Sequence, residues 1–376
     1  MDYLNLLDQF DTGSWLRATF ALFLCAVVLP LAFPLARRLG LVDHPGGRKD
    51  HHGAVPVIGG LVIFLALALS YLGFESSLSV QSLTFVACAG LMVLVGQLDD
   101  IYDLHWSWRI GAQTAAALAM IYIAGLEADN LQDVFGFAAA NVGFLAVPFT
   151  VFIVVGVINA LNMADGVDGL AGTLSLVSLG LFTCFALYSG DALQAERLLA
   201  LCAALVGFLL WNQRLPWQPR AKVFLGNGGS MLLGFIIAWT SVRLTQNAAH
   251  PVSPVLGPWT LALPLIDCVT LMLRRWRQGK SPFAADRRHM HHMLLDAGLR
   301  PAAVVFLLGG LSLLLGLGAA LAMKAGIYRP LLVLIFLVLL AGWYVFSRDY
   351  DLAVARVRKL TGRRVPVASP QASDPQ

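Results

Sequence analysis

Along this chain the apolar positions fall in runs of near twenty residues, and the polar positions are gathered into short clusters between them. The runs lie at approximately 15–36, 57–74, 80–98, 109–126, 142–160, 170–189, 198–213, 229–246, 258–274, 302–322 and 330–347. An α-helix needs about twenty apolar residues to cross the hydrocarbon core of a bilayer, so the pattern predicts an all-α polytopic membrane protein of about eleven transmembrane helices. No repeat of fixed period is present, and residues 1–347 are expected to form one integral membrane domain. Residues 348–376 read as a cytoplasmic tail, basic at first and then closing with the Pro/Ser/Ala-rich VPVASPQASDPQ, a composition that favours disorder.

Composition supports the membrane reading, with only 13% of the 376 residues charged and 58% hydrophobic, against about 25% charged in an average soluble domain. Basic residues set the expected orientation. An external amino terminus places Arg37, Arg38, Arg48, Lys49, Arg109, Arg214, Arg274, Arg275, Arg287 and Arg288 inside, and the basic carboxy-terminal tail with them. Arg17, Arg197, Arg243, Lys324 and Arg329 remain outside, in segments that also carry Glu75, Glu127, Asp129 and Glu196. That asymmetry follows the positive-inside rule. The sequence pI near 8.9 then reflects topology and anionic headgroups; no nucleic-acid motif accompanies it, and nucleic acid is not expected as a partner. The five cysteines all lie in apolar runs, where they behave as small hydrophobes with no disulfide or metal pairing expected. The segment before the first apolar run is acidic, so that run reads as a retained helix rather than a cleaved signal peptide.

The polar clusters then carry the chemistry, because ionisable groups beside hydrocarbon are costly. They are DHPGGRKDHHGAVPVIGG (43–60), GQLDD (96–100), NALNMADGVDGLAG (159–172), VFLGNGGS (223–230) and DRRHMHHMLLDAG (286–298), and the expected topology puts all of them on the cytoplasmic face. Asp99 and Asp100 end an apolar run; adjacent carboxylates there call for a divalent cation or a shared proton, and hard oxygen ligands suit Mg²⁺. Asn159, Asn162 and Asp165 are spaced three apart, so a continuing helix lines them on one face, with Asp168 able to swing into the same pocket. That set suits a nucleotide base, a ribose or a metal. VFLGNGGS is expected to turn between helices and offer backbone N–H groups to a phosphate, although no Walker-type lysine follows it. His289, His291 and His292 stand with Arg287 in a long loop expected to be exposed, so phosphate contacts explain them better than burial does. Zinc is the competing reading, weakened by the absence of a nearby cysteine and by the adjacency of His291 and His292, which should point their rings apart.

In order and spacing, these motifs from Asp43 to Gly298 resemble the polyprenyl-phosphate N-acetylhexosamine-1-phosphate transferases of glycosyltransferase family 4, in particular the undecaprenyl-phosphate N-acetylglucosaminyl-1-phosphate transferase branch. The resemblance implies a bacterial inner-membrane enzyme that joins undecaprenyl phosphate to the β-phosphorus of UDP-N-acetylglucosamine and releases UMP. It implies Mg²⁺, with Mn²⁺ as the alternative ion, held by Asp99, Asp100 and position 227. Asp165 and Asp168 would bind nucleotide or metal, with Asn159 and Asn162 beside them. Phe224 would stack on uracil near Asn212, and Arg287, His289, His291 and His292 would grip sugar and pyrophosphate. Arg109 would lie near the lipid phosphate, and Arg48 and Lys49 would face the active site. One position departs from the family pattern: G-D-x-G-S reads G-N-G-G-S here, with Asn227 for the aspartate. A neutral amide oxygen at that position should weaken metal binding. Another UDP-N-acetylhexosamine or UDP-MurNAc-pentapeptide is the alternative donor, and a transporter or a non-catalytic lipid-carrier binder is the alternative class. Polar residues collected at one face favour an interfacial enzyme over a transporter. Oligomeric state is open, a homodimer included.

Overall fold

A computed structural model describes residues 9–43, 53–74, 78–136, 140–247, 252–281 and 287–362. Each of the eleven apolar runs is helical. The chain enters through α1 (Thr12–Phe23), a π-turn over Leu24–Val28 and the short α2 (Leu29–Leu31) and α3 (Phe33–Arg38). A two-stranded antiparallel pair, β1 (Val42–Asp43) and β2 (Val55–Pro56), leads into α4 (Gly59–Phe74), α5 (Val80–Tyr102), α6 (Trp106–Tyr122) and α7 (Ala146–Ala164). Next come α8 (Leu170–Ser189), α9 (Ala192–Asn212), α10 (Gly226–Gln246), α11 (Leu256–Thr260) and α12 (Ala262–Arg277). The chain closes with α13 (Met290–Asp296), α14 (Pro301–Lys324), α15 (Arg329–Phe346) and α16 (Tyr350–Thr361).

Among the described residues, seven helical segments are long and apolar enough to cross a membrane. The helix over Gly59–Phe74 is apolar but shorter. The α15 helix turns Leu331, Leu334, Leu337 and Val338 outward, as a lipid-facing helix does.

Local sequence explains the helix ends. Asp11, Ser79, Asp191 and Asp349 each accept a backbone N–H from the first turn of α1, α5, α9 and α16, satisfying donors that a helix start leaves open. Pro301 and Pro330 sit at the starts of α14 and α15, where a missing N–H costs nothing. Pro30 is different, because it falls inside the first apolar run and deprives the Ala26 carbonyl of its helical donor. The π-turn covers this stretch, and the indole N–H of Trp211 on α9 donates to Ala26 O at 2.9 Å.

Helix α10 is the hub of the bundle: nearly all of its residues from Gly228 to Thr245 are buried. Its first turn meets α5 and α4 backbone to backbone. A Cβ at Gly96 would collide with the main chain of Asn227 and Gly228, and one at Gly60 with the main chain of Gly229. These contacts bring the last turn of α5, with its aspartates, directly against the start of α10. At the other end of the bundle, Arg243 of α10 donates to Gln194 Oε1 (2.9 Å) and Gln81 Oε1 (2.8 Å) and pairs with Asp191 (3.4 Å). Arg197 lies over the Tyr71 ring, 4.9 Å from its centroid. The tail begins as the helix α16, whose Ala353 and Val354 pack on Met293 and Ala297 at α13; residues 363–376 lie outside the described residues.

Candidate active site

The polar clusters meet where α5, α7 and α9 end and α6, α8 and α10 begin. Asp99 is 5% exposed. Its Oδ2 accepts from Arg109 Nη1 at 2.9 Å and from Asn227 Nδ2 at 2.8 Å. Asp100 lies on the open side, and its two carboxylate oxygens accept the Asn227 backbone N–H at 3.1 and 2.9 Å. The expected turn at VFLGNGGS is instead the first turn of α10, which starts at Gly226. Asp100 therefore caps α10 from a neighbouring helix, a favourable place for a carboxylate at a positive helix end, and the Asn227 N–H is committed to it rather than offered to a phosphate.

Asn227 bridges further. Its Oδ1 accepts from Asn162 Nδ2 at 2.9 Å, and the same Asn162 nitrogen donates to Ser230 Oγ at 2.8 Å. Asn159 does not share this face as its spacing predicts: its amide donates to Gln113 Oε1 on α6 at 2.7 Å and to its own helix at Val155 O. The reason is that the two amides, both within α7, meet different neighbouring helices, α6 and α10, while Asp165 lies just past the helix end.

Asp165 follows the end of α7 and is half-buried. Loss of water first, and the charges of Asp100 and Asp168 second, push its carboxyl up to about 7. A carboxyl poised there exchanges a proton readily or is ionised by an arriving cation. Asp168 turns away from this pocket, accepting from Arg214 Nε at 2.7 Å and from the Ala221 N–H at 3.3 Å. Asn212, 4% exposed, uses its carbonyl oxygen for the Gly169 N–H and its amide for Val223 O, both at 2.9 Å. It holds the frame between α8 and residue 223. Phe224 extends the β2 edge, donating its N–H to Pro56 O and accepting from the Gly59 N–H, and its residue surface is half-buried.

The histidine cluster differs from the expected exposed loop. His289 is 7% and His291 2% exposed, so burial is part of their role; Arg287 is exposed. The rings do not point apart: His291 and His292 have centroids 4.3 Å apart, and His289 stacks on His291 at 5.3 Å with planes 10° apart. The short helix α13, beginning directly after His289, gathers them. His291 Nε2 faces Gly166, the residue after Asp165, where a Cβ would strike the ring, and it has no hydrogen-bond partner among the described residues. Burial first, then the charges of His292 and His289, hold its imidazole well below 6.5. Sequence reasoning passed over Asp267, whose signal was a lone carboxylate inside the apolar stretch ALPLIDCV. It also passed over Gln113, Arg214 and Ser230. Arg48 and Lys49 lie outside the described residues.

Among the described residues no three acidic, histidine or cysteine side chains are grouped so as to hold a metal. The donor set still fits a hard cation: two adjacent carboxylates with open lone pairs beside a third acid near neutrality suit Mg²⁺, which takes one or two carboxylates and fills its other positions with water and phosphate oxygens.

Paired aspartates, an asparagine–aspartate segment and a histidine helix thus converge at one set of helix ends of a helical membrane protein, the setting of a functional site rather than of packing. The model for glycosyl transferase family 4 matches residues 82–245. The undecaprenyl-phosphate alpha-N-acetylglucosaminyl 1-phosphate transferase of Haemophilus influenzae is 39% identical over 281 residues, covering 74% of this chain and 79% of its own. The protein of that name from Escherichia coli K12 is 34% identical over 342 residues, covering 88% of this chain and 90% of its own. That of Yersinia pestis is 36% identical over 268 residues, covering 71% and 73%. The chain belongs to glycosyl transferase family 4.

Proposed function

We propose that this protein transfers N-acetylglucosamine-1-phosphate from UDP-N-acetylglucosamine to undecaprenyl phosphate. The products are undecaprenyl-pyrophosphoryl-N-acetylglucosamine and UMP. An oxygen of the lipid phosphate forms the new bond to the β-phosphorus, and the bond from that phosphorus to the bridging oxygen breaks, its electron pair leaving with UMP. The observation that carries the reading is the junction at Asp99, Asp100 and Arg109: carboxylates and a guanidinium stand at the end of an apolar helix, beside Asn162 and Asn227. A lipid phosphate can enter there from the membrane and a soluble nucleotide from the other side.

Phosphoryl transfer asks a protein mainly for positioning and charge neutralisation. Asp99 and Asp100 would hold Mg²⁺, which supplies charge neutralisation at the pyrophosphate when bound. Arg109 keeps Asp99 oriented and adds positive charge for the acceptor phosphate. Asp165, near neutrality, ionises against the incoming charge of a filled site. His291, buried and neutral, presents an unpartnered Nε2 beside Gly166 for a substrate oxygen or hydroxyl. Arg287 and His292 lie at the rim for the sugar and phosphates.

The same proposal has all eleven helical runs crossing a bacterial inner membrane, the amino terminus outside, and this site on the cytoplasmic face. Basic-residue asymmetry supports that orientation.

The deciding experiment incubates purified protein with undecaprenyl phosphate, Mg²⁺ and a panel of UDP-sugars, measuring UMP and lipid product. UMP release with UDP-N-acetylglucosamine above all others is the expected result. Preference for a different UDP-N-acetylhexosamine or for UDP-MurNAc-pentapeptide would replace the donor. Lipid binding without turnover on any donor would make the chain a non-catalytic binder.

A further inference from the structure

Asp267 lies in α12, between Ile266 and Cys268, and is 7% exposed. Its two oxygens face the start of α13. Oδ2 is 3.0 Å from His289 Nδ1, and Oδ1 accepts the Met290 N–H at 3.0 Å. His289 occupies the N-cap position of α13 but makes no side-chain cap of its own. Asp267 supplies that cap from another helix, satisfying a donor at the positive helix end.

The second bond has a different consequence. An ionised carboxylate only accepts, so the proton of a neutral His289 must sit on Nδ1 and the lone pair on Nε2. The His289 ring then stacks on His291, whose Nε2 abuts Gly166 next to Asp165. One buried carboxylate thus fixes the tautomer of the first histidine, the seat of the helix that carries all three, and through the stack the place of His291.

We propose that Asp267 is a positioning residue for the transfer reaction, holding His289 in its Nδ1–H form so that Nε2 faces the donor substrate as an acceptor. The proposal rests on the reading of the site as a sugar-phosphate transferase. It extends that reading to a residue that touches no substrate.

Two variants separate the tautomer from the cap. In Asp267→Asn the amide oxygen can still accept the Met290 N–H, while the amide nitrogen now donates toward Nδ1 and drives the ring to its Nε2–H form. In Asp267→Ala both bonds are lost. Expected for Asp267→Asn is a thermal midpoint close to that of the wild type and a kcat lower by roughly tenfold to a hundredfold, by analogy with the lost carboxylate partners of metal-ligating histidines. Histidine-labelled protein gives ¹⁵N spectra in which His289, assigned by its loss in His289→Gln, shows a protonated Nδ1 in the wild type and a protonated Nε2 in Asp267→Asn. A wild-type His289 protonated at Nε2, or an Asp267→Asn enzyme with kcat within about twofold of wild type, overturns the proposal. The wild-type spectrum decides the first point even if Asp267→Asn fails to fold. Absence of UMP release by the wild type would sink the transferase reading instead, and leave the measured tautomer standing.

Discussion

Asn227 gives a hydrogen to Asp99, 2.8 Å from Nδ2 to Oδ2, at the position where the family pattern has a second carboxylate. With an aspartate there, two acids would face each other until a cation arrived. With asparagine, the pair is satisfied without one, and the amide oxygen is held by Asn162. To bind metal through that oxygen, Asn227 has only the lone pair that the Asn162 bond leaves.

Replacement of Asn227 by aspartate should therefore change the protein in two ways. In EDTA the thermal midpoint falls, because the donor to buried Asp99 is lost and a like charge replaces it, at a cost of about 1–3 kcal/mol. With Mg²⁺ the midpoint recovers more than in the wild type, and the Mg²⁺ concentration for half-maximal rate drops. Paired melting curves and a Mg²⁺ titration of UMP release check this. An equal Mg²⁺ requirement in both forms would mean that position 227 does not reach the metal.

Asp99→Asn and Asp100→Asn should each lower turnover by roughly a hundredfold, equivalent to ~2.7 kcal/mol, with the protein still inserted and folded. EDTA should abolish wild-type activity and Mg²⁺ restore it. Full turnover after rigorous metal removal would refute the role given to the paired aspartates.

Acid should destabilise the histidine helix. The His291 imidazole is held well below 6.5 in the folded protein, so the unfolded chain takes up a proton first as pH falls through 6.5. Its neutral burial thus contributes full stability above that value and loses it progressively below. His292 is shifted in the same direction. Asp165 acts oppositely, since a carboxyl raised to about 7 favours the folded state as pH falls. The useful quantity is accordingly the difference between wild type and His291→Gln. The wild-type midpoint should decline more steeply from neutrality to about pH 5, and parallel curves would place His291 in a solvated setting.

The contact between Gly96 and the Asn227–Gly228 backbone leaves no room for a methyl group. Gly96→Ala should push α5 from α10 and cost at least ~1–3 kcal/mol, the range for overpacking, while misplacing Asp100 against the Asn227 N–H. A low melting point with lost activity is expected; an active variant of normal stability would show that this junction can yield.

The helices were legible because each apolar run has bilayer length, and the site's acids because carboxylates at helix ends have no packing reason to be there. What the sequence could not supply was direction. Asn159, Asn162 and Asp165 share a three-residue spacing, yet only Asn162 reaches Asn227, because the choice is made by which helix stands opposite. The histidines read as exposed since polar residues between apolar runs usually are; Asp267, buried in α12, provides the partner that lets His289 go inside. Asn212 read as a residue near the base, and its bonds to the Gly169 N–H and Val223 O, which tie α8 to the chain before α10, had no sequence signal.

A helix as short as α13, seven residues, does not persist alone in water. Asp267 holds its beginning, and α16 holds its end through the Tyr350 hydroxyl on Asp296 (2.6 Å), Arg358 on Asp296 O (2.9 Å) and the packing of Ala353 and Val354. The histidines are thus clasped between α12 and the segment after Ser347. A chain cut at residue 348 would keep the Asp267 bonds and lose the other half of the clasp, so a helix remote in sequence from the polar clusters helps to seat the histidines.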